Sequence, residues 1–177
     1  MVKGKVEQIL ITKDEIATRV AELGRKITED YRGRDLLIVG ILKGAVVFYS
    51  DLCRSIDLPV KMDFMSVSSY GAGTVSSGIV KINKDLDHSC EGVDVLIVED
   101  IIDSGLTLQY LKEYLISRQV RSLKVCCLLD KPERRKCDLV PDYCGFQIPD
   151  AFVVGYGLDY AEYFRNLPDI GILNPDA

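Results

Sequence analysis

The stretch from Val95 to Thr107, Val-Leu-Ile-Val-Glu-Asp-Ile-Ile-Asp-Ser-Gly-Leu-Thr, constrains this chain more than any other. Val95 to Val98 is an unbroken run of mostly branched apolar residues, which predicts a buried strand. Two adjacent carboxylates, Glu99 and Asp100, follow at its end. After Asp103, Ser104-Gly105-Leu106-Thr107 forms a small hydroxyl-rich turn, and Leu108, Leu111 and Leu115 then repeat at helical spacing. Strand, acids, glycine turn and helix start describe the carboxyl edge of a parallel α/β sheet, where such folds hold their ligands. The unpaired N–H groups of a helix start suit a phosphate monoester. Gly105 lets backbone approach that ligand, and Ser104 and Thr107 add hydroxyl donors. Glu99 and Asp100 repel phosphate, so their partners are sugar hydroxyls or a hydrated Mg2+.

Around this stretch the chain alternates strand and helix patterns. Val6 to Ile11 predicts a short edge strand. Thr12-Lys13-Asp14-Glu15 is a capping box, opening a helix with Ile16, Val20, Leu23 and Ile27 on one face and a stop at Tyr31 and Gly33. Leu36 to Leu42 is a second buried strand. Gly44 opens a helix carrying Val47, Leu52 and Ile56, which ends before Pro59. Val60 to Ser66, Gly78 to Ile82 and Ser122 to Leu129 complete the strands. The pattern predicts an α/β fold, a mainly parallel twisted sheet with helices on both faces. Neither a repeat nor a linker divides the 177 residues, so one domain is expected.

A net charge of −5 argues against a nucleic-acid partner, which a basic face would announce. No apolar run reaches the length of a membrane span, and Met1-Val2-Lys3-Gly4-Lys5 lacks a signal-peptide core, so no membrane partner is expected. The six cysteines show no C-x-x-C spacing and read as buried thiols of a cytoplasmic protein.

Val98-Glu99-Asp100-Ile101-Ile102-Asp103-Ser104-Gly105-Leu106-Thr107 resembles the signature of the type I phosphoribosyltransferases throughout: apolar strand, two acids, two apolar residues, Asp, Ser or Thr, Gly, any residue, Thr. The resemblance runs from about Leu36 to Leu167 and is closest to the 6-oxopurine branch. It implies a core over about 36–147 and a small hood made by the N-terminal segment and about 148–177. It also implies that Glu99 and Asp100 bind the ribose hydroxyls of phosphoribosyl pyrophosphate. Asp103, Ser104, Gly105, Leu106 and Thr107 then wrap the 5'-phosphate.

Other positions take roles from the same resemblance. Lys43 by itself is a solvated lysine on a tight turn; the resemblance makes Lys43 and Gly44 pyrophosphate binders, with a cis peptide expected between Leu42 and Lys43. Ser69 and Tyr70, in the serine- and glycine-rich run 66–78, resemble the tip of a closing lid. Lys131, a surface lysine from sequence alone, matches the donor to the purine 6-oxygen. Glu133-Arg134-Arg135-Lys136 beside it reads as a solvated face. In the hood, Phe152 matches the residue that stacks on the base, and Val153 the one presenting backbone groups to it. Asp159 is expected to hold a second Mg2+ through water, and Arg165 to reach pyrophosphate. The implied cofactor is Mg2+, with Glu99, Asp100 and Asp159 as its ligands.

The activity implied is purine salvage: transfer of 5-phosphoribosyl to N9 of hypoxanthine, and of guanine, with release of pyrophosphate. Asp103 is the expected general base at N7. Xanthine or another base stays open as acceptor. A non-catalytic RNA-binding regulator on the same fold is disfavoured by the intact Asp103 and the acidic net charge. Assembly as a homodimer or homotetramer is expected from the resemblance alone.

Overall fold

The computed structural model describes residues 4–69 and 80–175. In chain order the first half contains β1 (Lys5–Ile11), α1 (Lys13–Asp30), β2 (Leu36–Leu42), α2 (Val46–Ser55), β3 (Lys61–Ser69) and β4 (Val80–Lys84). The second half contains β5 (Asp94–Ile102), α3 (Leu106–Ser117), β6 (Ser122–Asp130), β7 (Tyr143–Gln147), β8 (Val153–Val154) and β9 (Ile170–Asn174). Six strands form one sheet in the order β4-β3-β2-β5-β6-β7, parallel at every pairing except β3 with β4. A second, antiparallel sheet has the order β1-β9-β8 and makes the hood. The expected α/β architecture is borne out.

The large sheet is covered on both faces because its inner strands alternate between two apolar layers. Leu36, Ile38, Leu96, Val98, Cys126 and Leu128 pack with α1, α2 and the hood residues Tyr156 and Ile170. Leu37, Val39, Val95, Ile97, Val125 and Cys127 pack with Leu108, Leu111 and Leu115 of α3. Helix α1 starts at the expected capping box: the Glu15 N–H donates to Thr12 Oγ1 (3.3 Å) and the Thr12 N–H to Glu15 Oε2 (2.8 Å). From the exposed side of α1, Arg19 donates to the carbonyls of Gly145 (2.9 Å) and Cys144 (2.8 Å) on β7.

Several strand boundaries differ from expectation. β3 runs on to Ser69, and β4 runs on to Lys84, while the expected start at Gly78 lies outside the described residues. β5 continues through both acids to Ile102 instead of ending at Val98, because its pairing with β6 extends to Ile102↔Asp130. The short strands β7, β8 and β9 had no sequence pattern of their own. They exist because β6 and β1 offer them a partner edge. Among the described residues, no helix is long and apolar enough to cross a membrane.

At the amino end of the sheet, the fully buried Asp94 is held by Arg34 through Nε (2.9 Å) and Nη2 (2.6 Å), and by the Ser122 hydroxyl (2.6 Å). Burial by itself raises this carboxyl, but hydrogen bonds from Arg34 and Ser122 and the charges of Arg34 and Arg121 outweigh it and hold the group below its ordinary range. The lowered value means that ionised Asp94 stabilises the fold above the usual carboxylate range, and that this contribution is lost as pH falls through the folded-state value. Arg34→Ala is expected to cost about 3 kcal/mol at neutral pH by urea denaturation. The difference from wild type should shrink below about pH 4.

Candidate active site

Extending β5 through Glu99 and Asp100 places the two acids on a strand, where neighbours point to opposite sides. Glu99 lines a cavity of about 440 Å³ together with Leu42, Ser68, Asp103, Ser104, Gly105 and Thr107. Asp100 lines a second cavity of about 460 Å³, together with Lys131, Arg134, Asp150, Phe152, Val153 and Asp159. Asp103 belongs to both walls. The two cavities therefore meet where the strand turns into α3.

That turn is fixed from two directions. Gly105 caps α3 with φ 81°, a left-handed conformation that an L side chain resists, and the first helix N–H, that of Leu106, donates to Ser104 Oγ at a long 3.4 Å. Beneath it, a β-carbon at Gly105 would sit 2.9 Å from Cys137 Sγ and 3.0 Å from Arg135 Cδ. The Ser104 carbonyl accepts the Lys136 N–H (2.9 Å), tying the turn to the same segment. Arg135 is itself ion-paired to Asp130 at the end of β6. The result is a rigid loop whose helix amides and hydroxyls face the first cavity, a suitable seat for a phosphate. Leu106 opens α3 but lines neither cavity.

The acids divide by partner. Burial, followed by the charge of Asp100, pushes Glu99 well above the usual carboxylate range; burial also raises Asp100, against the opposing Ile101 N–H at 2.8 Å. The charge of each acid acts against ionisation of the other, which favours a shared proton or an added cation. Among the described residues no group of three or more His, Cys, Asp and Glu side chains gathers as a metal cage. The Glu99–Asp100 pair nonetheless fits Mg2+, which takes one or two carboxylates and completes its shell with substrate oxygens and water. Asp159 stands apart, 2.9 Å from Arg165 Nη2. Gly44 packs directly on Asp100: a β-carbon there would fall 1.8 Å from Asp100 Oδ2.

Lys43, preceded by the expected cis peptide at Leu42–Lys43, is exposed and pairs with Glu162 at 2.8 Å. Glu162 also lies 3.5 Å from Arg165, whose Nη1 donates to the Gly157 carbonyl (2.8 Å). One acid thus joins Lys43 and Arg165, the two cations assigned to pyrophosphate. Ser69 ends β3, while Tyr70 lies outside the described residues.

On the base side, Lys131 is buried rather than at the surface, and its ammonium donates to the Ala151 carbonyl (2.7 Å). Phe152 is half exposed, edge-on to Tyr160 with centroids 5.5 Å apart, so one ring face stays open. Val153 is buried in β8. The charge run 133–136 is not a uniform solvated face. Arg135 lies beneath Gly105, and Arg134 approaches Asp103 at 2.5 Å and Asp150 at 3.2 Å. Arg134, Arg135, Asp150 and Glu162 escaped the sequence reading. Consecutive arginines following a strand-end Lys-Pro were the one available signal.

A family model described as "Phosphoribosyl transferase domain" matches residues 6–161. The chain is 57% identical to the hypoxanthine-guanine phosphoribosyltransferase of Bacillus subtilis over 99% of its own length and 97% of that protein. The chain belongs to the hypoxanthine-guanine phosphoribosyltransferase family. Within the family, a crystal structure of a hypoxanthine phosphoribosyltransferase from Staphylococcus aureus superposes with a TM-score of 0.94 at 53% identity, covering 97% of this chain and 93% of that one. A Trypanosoma cruzi hypoxanthine phosphoribosyltransferase, in a ternary substrates complex, superposes at 0.91 with 45% identity, covering 97% of each chain. Membership accounts for the long match of the central motif, and the geometry explains why Gly105 is needed there. Gly105→Ala is expected to cost about 1–2 kcal/mol from the left-handed backbone alone. Urea denaturation measures that loss, and the clash with Cys137 adds to it.

Proposed function

We propose that the protein is a magnesium-dependent purine salvage enzyme. It transfers 5-phosphoribosyl from phosphoribosyl pyrophosphate to N9 of hypoxanthine, and of guanine, and releases pyrophosphate. The observation that carries this reading is Asp103 at the junction of two cavities, one suited to phosphate and the other to a flat base. The 5'-phosphate binds at residues 103–107 against the amides at the start of α3 and the hydroxyls of Ser104 and Thr107. Glu99 and Asp100 lie beside the ribose. They stabilise the positive charge that builds on the ring as the bond from C1 to pyrophosphate breaks. As N9 bonds to C1, Asp103 takes the proton from N7. Glu99 and Asp100 would hold one Mg2+ and Asp159 would serve a second; when bound, the metal would neutralise the departing pyrophosphate.

Base selection follows from Lys131. An ammonium only donates, so beside the 6-position it accepts an oxygen and rejects an amino group. Phe152 stacks on the ring, and backbone groups of Val153 meet its other edge. Lys43, Gly44 and Arg165 serve the pyrophosphate, which displaces Glu162 from both cations. Ser69 and Tyr70 are assigned to the lid that keeps water from the activated ribosyl centre. We assign the whole chain to one phosphoribosyltransferase domain, assembled as a homodimer or homotetramer on family grounds. Six free cysteines, four of them buried, are in keeping with a cytoplasmic enzyme.

The deciding experiment is a product assay with each purine base and phosphoribosyl pyrophosphate, with and without Mg2+; absence of nucleotide from every base defeats the proposal. Asp103→Asn should keep KM for both substrates while kcat falls about 100-fold or more. Lys131→Met should raise KM for hypoxanthine about tenfold or more, the loss of a charged hydrogen bond, with KM for phosphoribosyl pyrophosphate unchanged.

A further inference from the structure

Arg134 has no part in the chemistry above, yet it spans the wall of the base-side cavity. Its Nε lies 2.5 Å from Asp103 Oδ1, and its Nη1 lies 3.2 Å from each oxygen of Asp150. Asp150 is in turn 3.6 Å from the Lys131 ammonium. The Arg134 N–H donates to the Lys131 carbonyl at 3.1 Å, closing the short 3-10 turn Pro132–Arg134. One guanidinium therefore connects the acid at the start of the phosphate loop to the lysine at the end of β6. A planar fork can hold two carboxylates in fixed directions, which a point charge cannot.

In a 6-oxopurine, N7 and the 6-oxygen are neighbours on one edge of the ring. The groups that serve them, Asp103 and Lys131, must keep a matched spacing if both are to engage at once. We propose that Arg134 is a positioning residue for the transfer. It occupies one oxygen of Asp103, leaving the other for N7, and through Asp150 it sets the spacing between that carboxylate and Lys131. This rests on the roles assigned above to Asp103 and Lys131. Both partners of the Arg134–Asp103 pair are about half exposed, 49% and 47%, so its contribution to folding is small and its effect falls on turnover.

The test is a double-mutant cycle on the full chain: wild type, Arg134→Ala, Asp103→Asn and the double variant, each with kcat, both KM values and a thermal midpoint. Arg134→Ala should lower kcat about tenfold, the order expected from a misoriented group, with the midpoint and KM for phosphoribosyl pyrophosphate unchanged. Arg134→Lys should recover part of that loss. In the Asp103→Asn background, removing Arg134 should change kcat no further. Wild-type kcat in Arg134→Ala, beside an impaired Asp103→Asn, overturns the inference alone. An equal tenfold loss in both backgrounds also overturns it, since Arg134 then acts elsewhere. Wild-type kcat in Asp103→Asn instead removes the base on which the inference stands.

Discussion

The site depends on a single change of direction: the chain must leave β5 as a strand and enter α3 as a helix within Asp103, Ser104 and Gly105. A side chain at Gly105 is penalised twice, by the backbone angle and by the floor of Arg135 and Cys137. That floor is placed by the sheet. Ile102 pairs with Asp130 on β6, and Asp130 holds Arg135. Register between two central strands therefore decides where the helix amides emerge. It also puts Asp103 at the corner shared by the cavities.

Charge distribution follows from that corner. A site meant for a polyanion would ordinarily be basic, yet Glu99, Asp100, Asp103, Asp150 and Asp159 all line it. Most of these acids have an arginine against them: Arg134 for Asp103 and Asp150, Arg165 for Asp159. The Glu99–Asp100 pair is different, with both carboxyls raised and each listing towards the neutral form. The proposed divalent cation belongs at that pair for this electrostatic reason.

Much of the fold was legible in the sequence. Strands buried on both faces need long apolar runs, and β2, the Val95–Val98 stretch of β5 and the Val125–Leu129 stretch of β6 supply them. Thr12 and Glu15 announced α1 because a capping box is a local device. The central motif was legible for the same reason, its groups being consecutive. What escaped notice was non-local. Lys131 looks like any lysine until the Ala151 carbonyl, twenty residues on, is folded over it. Arg134 and Arg135 sit in a run of four charges, and nothing nearby in sequence says that their partners are Asp103, Asp150 and Asp130. Glu162 gains meaning only when the hood brings it to Lys43.

The reach of Arg19 to the Cys144 and Gly145 carbonyls has a consequence beyond local bonding. β7 is the last strand on its side of the large sheet, and an unguarded margin invites another chain to add itself there. With two of its acceptors engaged by a cation from α1, and only five residues long, that margin offers a poor template. A helix placed to cover the core thereby also protects the protein from fibrous self-association.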